Sequence, residues 1–208
     1  TAGTCAANPP VYNGVAVADI DGDRDMEIIV STGTAGATCT TISAFHHTGA
    51  TVSGWPKDFS IAACNTCCAN PWPICPSPAV GDINGDGAMD LVVATYSGNI
   101  YVFNSSGTTL SGWGPLNTGA ALRASPQIVN MDSDLFPEIV IASDASSNNI
   151  LAYNYDGSAV SGYPKSAKGA AGASISVADI DSNSVPELFV ADTTGRLSVI
   201  HSSAASFS

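Results

Sequence analysis

Positive charge is what this sequence has least of. Six Lys and Arg face 18 Asp and Glu over 208 residues, a formal net charge of −12. A chain so poor in cations cannot neutralise many phosphates, which argues against nucleic acid or an anionic membrane surface as partner. Long apolar runs are lacking as well. No stretch approaches the roughly 20 residues of a membrane-spanning helix, so membrane insertion is not expected. There is no cationic start followed by an apolar core either, and the expectation is a secreted protein whose leader has been removed. Catalytic signatures are equally sparse. The histidines are His46, His47 and His201, and neither a Gly-x-Ser-x-Gly elbow nor a His-Glu-x-x-His helix occurs. His201 aligns with Asn104 and Asn154, and His47 is placed in the same column, beside a hairpin turn. That is a structural position, and the chain is expected not to be an enzyme.

What the sequence does have is an acidic loop, written four times. The copies run from Asp19 to Glu27, Asp82 to Asp90, Asn130 to Glu138 and Asp179 to Glu187. Each places oxygen-bearing side chains at loop positions 1, 3, 5 and 9, the spacing with which a short turn wraps a hard divalent cation. Calcium takes six to eight oxygens at about 2.3–2.6 Å and tolerates irregular geometry. All but Asp58, Asp144, Asp156 and Asp192 of the 18 acidic residues lie in these loops. A diffusely acidic surface would not concentrate its carboxylates so. An EF-hand needs Glu at position 12 and a helix on each side. Position 12 is Val30, Val93, Ile141 and Val190, each inside a β-branched run.

Loop starts at 19, 82, 130 and 179 give intervals of 63, 48 and 49, a period in the range of propeller blades. Apolar strands flank every loop, Val15–Ile20 and Ile28–Ser31 in the first copy. A third segment alternates with period two, as in Asn99–Phe103 and Asn149–Tyr153. A turn then leads to a fourth strand, expected to run into Ser53-Gly-Trp55-Pro56, Ser111-Gly-Trp113-Gly-Pro115 or Ser161-Gly-Tyr163-Pro164. The reading is all-β: a β-propeller of four four-stranded blades with calcium loops between first and second strands. It forms one domain over 1–208. The repeats cover about 14–62, 77–120, 125–170 and 174–208, with a cysteine-rich insertion at 63–76 and an N-terminal segment at 1–13. Whether one chain closes the ring, or chains assemble, is open at this level.

These loops, the Glu/Asp-Leu/Ile-hydrophobic strand after each, and the Gly-Trp/Tyr-Pro endings resemble the FG-GAP/VCBS repeats of integrin-α-like propellers. The resemblance implies up to four Ca2+ ions. Their side-chain ligands would be Asp19, Asp21, Asp23 and Glu27; Asp82, Asn84, Asp86 and Asp90; Asn130, Asp132, Asp134 and Glu138; and Asp179, Asp181, Asn183 and Glu187. Backbone carbonyls of Asp25, Ala88, Phe136 and Val185 would fill position 7. The first loop, with four carboxylates, is expected to bind most tightly.

Six cysteines, Cys5, Cys39, Cys64, Cys67, Cys68 and Cys75, point to disulfides in an oxidising compartment, with zinc ligation as the rival reading. Four of them sit in the insertion, which also holds Trp72 and is the expected partner surface. Trp55, Trp113 and Tyr163 either pack between blades or stack on a glycan. The function expected is a secreted, non-catalytic calcium-binding propeller that binds protein, or copies of itself, at the cell surface. The alternatives are a calcium-dependent lectin and an accessory domain of an extracellular hydrolase or lyase.

Overall fold

The computed structural model describes residues 14–33, 39–60, 76–132, 134–144, 149–166, 175–192 and 195–201. Among them there is no helix, as the period-two patterning requires. The first sheet is a meander of β1 (Ala16–Ala18), β2 (Glu27–Gly33), β3 (Cys39–Phe45) and β4 (Lys57–Ser60). The second joins β5 (Ala79–Gly81), β6 (Asp90–Ala94), β7 (Asn99–Phe103) and β8 (Leu116–Asn117). β9 (Gln127–Val129), β10 (Glu138–Ala142), β11 (Asn149–Tyr153) and β12 (Lys165–Ser166) form the third. The last has three described strands, β13 (Ile175–Ala178), β14 (Glu187–Ala191) and β15 (Leu197–His201). Every neighbouring pair is antiparallel.

The expected fourth strand is displaced. The residues before each Gly-Trp/Tyr motif make one bridge only, Phe45 to Thr51, Phe103 to Thr109 and Tyr153 to Ala159. The strand that completes the sheet lies beyond the motif and pairs with the start of the third strand, Ile42 with Lys57 and Ile100 with Leu116. The chain therefore makes a tight corner at Gly54, Gly112 and Gly162, all in the left-handed region with φ of 82–89°.

The inner strands stand side by side in the order β1, β5, β9, β13, so the sheets fan out in a propeller-like row. Among the described residues, β13 and β1 do not pack in this way. The cores lie between sheets. Ile29, Ile42 and Ala44 of the first pack on Leu91, Val93 and Phe103 of the second. Val92, Ile100 and Val102 meet Ile139, Ile141 and Leu151, and Val140, Ile150 and Ala152 meet Ile175, Leu188 and Val190. A middle strand is thus buried on both faces, which is why Asp90–Ala94 and Glu138–Ala142 read as unbroken apolar runs after their first residue.

The N-terminal segment 1–13, the insertion as far as residue 75 and, with them, Cys5, Cys64, Cys67, Cys68, Cys75 and Trp72 lie outside the described residues. Cys39 is placed in β3 by its backbone.

Candidate metal centres

Each acidic loop joins the first and second strands of its sheet, so the strand pair fixes both ends of the loop. Inside it, the side chains are organised by main-chain amides in a repeated pattern. At position 1, Asp19 accepts from Gly22 (2.7 Å) and Arg24 (3.0 Å). Asp82 accepts from Gly85 (2.8 Å) and Gly87 (2.9 Å), and Asp179 from Asn183 (3.2 Å) and Ser184 (2.9 Å). Position 3 accepts from the amide of position 5 in all four copies, for example Asn84 from Asp86 at 2.9 Å and Asp132 from Asp134 at 2.8 Å. Position 5 accepts from position 7, whose donors are Asp25, Ala88, Phe136 and Val185. These Asx-type bonds turn the side-chain oxygens toward the inside of the loop. The third copy departs at its first residue. Asn130 uses its amide to donate to the carbonyl of Asp134 at 2.9 Å.

The position-9 carboxylate is the buried member. Glu27, Asp90, Glu138 and Glu187 are all essentially solvent-free. One oxygen of each accepts from the amide of position 2: Ile20 to Glu27 at 3.0 Å, Ile83 to Asp90 at 3.0 Å, Met131 to Glu138 at 2.6 Å and Ile180 to Glu187 at 3.0 Å. The other oxygen of Asp90 and of Glu138 is buried with no hydrogen-bond partner, and that of Glu187 faces His201 Nδ1 at 3.0 Å. Burial, with repulsion from Asp86 and Asp82, pushes Asp90 up to about 6 against the opposing amides of Ile83 and Asn84. Burial with the charges of Asp132 and Asp134 takes Glu138 to about 7. An orphaned buried oxygen beside further carboxylates is costly unless a cation supplies the missing contact. Asp19, Asp21 and Asp23 bring ligand atoms within 4.8 Å of one another, as do Asp132, Asp134 and Glu138. This donor set, all oxygen and mixed in charge, fits a calcium-type cation.

Two histidines join the loops. His46 Nδ1 lies 3.2 Å from Glu27 and 3.7 Å from Asp21, and His201 Nδ1 lies 3.0 Å from Glu187. The register corrects the sequence alignment. Phe45 and Phe103 occupy matching places opposite Ile28 and Leu91, so His46, and not His47, stands in the column of Asn104, Asn154 and His201. His47 is exposed and lies 3.4 Å from Asp25.

The aromatics of the Gly-Trp/Tyr motifs face the next sheet. The Trp55 indole donates to the carbonyl of Ser105 at 3.0 Å, and that of Trp113 to the carbonyl of Tyr155 at 2.7 Å. Trp55 crosses Phe103 edge-on, and Trp113 crosses Tyr153. Both indoles are buried, Trp113 completely, and Tyr163 is half-buried against the third core cluster with its hydroxyl 3.9 Å from Met131 sulfur. Neither tryptophan has an open ring face for a ligand. An open cleft lies at the loops, between the first and second, lined by Asp19, Asp21, Met26, Asp86 and Met89.

The FG-GAP repeat family matches residues 76–103, which hold the second loop with the strands on either side. No curated protein matches the chain. Among solved structures, BBS1N in complex with ARL6DN superimposes with a TM-score of 0.61 at 13% identity, over 98% of this chain and 53% of that one. A second BBS1N–ARL6DN structure gives 0.59 at 14%, over 95% and 56%. The biofilm matrix protein Bap1 of V. cholerae gives 0.51 at 18%, over 94% and 38%. The chain spans about half or less of the length of these proteins, and at such identities the likeness is one of fold.

Proposed function

Taking residues 76–103 as an FG-GAP repeat within four sheets of the same build, we propose that the chain is a calcium-stabilised, non-catalytic propeller-like module. It binds protein, outside the cell or at its surface. The observation that carries the calcium reading is the buried position-9 carboxylate, with an oxygen lacking a partner in the second and third loops and facing a histidine in the first and fourth. A cation there satisfies that oxygen and cancels repulsion among the loop carboxylates. It also locks the turn between first and second strands, so calcium raises the stability of the fold by mass action.

Protein contact is supported by the loop rim. Met26, Met89 and Leu135 are exposed at the tips of the first three loops, where nothing in the loop's own architecture requires an apolar side chain. Flexible thioethers beside fixed charges suit a protein surface. One structural relative was solved with a protein partner and another is a biofilm matrix protein, which agrees with this reading. A glycan reading has less support, because the two tryptophans at the sheet boundaries are buried.

Calorimetric titration with calcium tests the proposal. Up to four sites are expected, with a melting temperature that falls clearly on chelation. No heat of binding and a melting point indifferent to chelator would overturn it.

A further inference from the structure

The two ends of the row of sheets carry apolar faces whose internal counterparts are buried. On the last sheet Ile180 is 61% exposed and Leu197 67%. The residues in the same register of the first three sheets are buried against the next sheet: Ile20, Ile83 and Met131 for Ile180, and Ile42, Ile100 and Ile150 for Leu197. Half-buried Phe189 and Val199 extend this face, and their counterparts Val92 and Val102 are sealed. On the first sheet the opposite face is bare. Val17 is 59% exposed and Ile28 42%, whereas the counterparts of Ile28, which are Leu91, Ile139 and Leu188, are buried by the preceding sheet.

The two bare faces are complementary by construction. In all three internal boundaries, the residue matching Leu197 and the residue matching Val17 fall in one cluster: Ile42 with Val80, Ile100 with Ile128, and Ile150 with Val177. Among the described residues β13 and β1 do not pack as consecutive inner strands do, and both faces stand exposed. We propose that the bare face of the last sheet docks on the bare face of the first sheet of a second copy of this chain. The contact continues an interface already made three times within the molecule. Made twice about a two-fold axis, it closes a ring of eight sheets, within the size range of propellers. This deepens the protein-binding reading above by naming the partner.

Light scattering over a range of concentrations, in calcium, tests it with Leu197→Asp and Val17→Lys. Both positions are exposed, so folding is not at risk, and a thermal melt checks it. The wild type is expected at twice the chain mass and each variant at the monomer mass. An equimolar mixture of the two variants is expected to return the dimer, because aspartate meets lysine in one interface and Leu197 meets Val17 in the other. A wild type that stays monomeric at every concentration, or a dimer that survives both substitutions, overturns the proposal. Calcium titration of the same samples separates the two readings. Intact calcium binding by a monomer removes the second copy and leaves the calcium-stabilised module standing.

Discussion

Asp90 and Ile83 face each other across the second loop, the amide of Ile83 donating to one carboxylate oxygen at 3.0 Å while the other oxygen stays buried without a partner. The amide holds the carboxylate in place, and the orphaned oxygen is what a cation would complete.

Asp90→Asn keeps an oxygen as the acceptor for Ile83 and replaces the orphaned oxygen by the amide nitrogen, which cannot ligate a cation. The expected result is the loss of one calcium from the stoichiometry, with a melting point lower in calcium and little changed in chelator. Calorimetry together with thermal melts checks both halves.

Without metal, stability should fall as pH rises. The folded-state values of about 6 for Asp90 and about 7 for Glu138 lie above the roughly 4 of an unfolded carboxylate. Between those values the folded chain holds more protons than the unfolded one, so raising pH through the window costs about 1.4 kcal/mol per unit of separation. Calcium displaces these protons, and its affinity should climb over the same range. Melts from pH 4.5 to 8, with chelator and with calcium, read the two opposing slopes. A metal-free stability that rises steadily to pH 8 would refute the assignment.

Ser182 and Ser184 occupy the left-handed region, with φ of 60° and 69°, at the loop positions taken by Gly85 and Gly87 in the second copy. A side chain there is strained, and glycine relieves it at a smaller entropic cost. Ser184→Gly should stabilise the chain by about 1 kcal/mol. A denaturant midpoint measured in calcium is the check.

Gly112 combines positive φ with a close approach. A Cβ there would sit 2.1 Å from the carbonyl oxygen of Asp156 in the next sheet, whereas at Gly162 it would meet nothing within 4 Å. Gly162→Ala should therefore cost only the conformational strain, about 1–2 kcal/mol. Gly112→Ala must also push two sheets apart and should cost more, roughly a further 1–3 kcal/mol. Equal losses at the two positions would show that the contact does not matter.

The loops and their flanking strands were legible because both signals are local: oxygen side chains at odd positions, then an apolar run. The fourth strand was not. Gly-Trp-Pro reads as the end of a strand, yet Gly54 and Gly112 come close to the backbone of the next sheet, and the chain can pair only after the corner. His46 was missed for a similar reason. His46 and His47 are interchangeable in an alignment, and only the pairing of Phe45 with Ile28 turns His46 toward Glu27. Ile180 and Leu197 have the same character as their buried counterparts, because a sequence records what a face is made of and not what stands opposite it.

Since each core cluster is shared by two consecutive sheets, no sheet owns a complete one. Unfolding is therefore a matter of neighbours. Peeling an end sheet severs one boundary, while opening a middle one severs two. Amide protons of β6 and β10 should exchange with solvent last, and those of β1 and β15 first, a gradient running from the centre of the row outward. Joining the ends would flatten it.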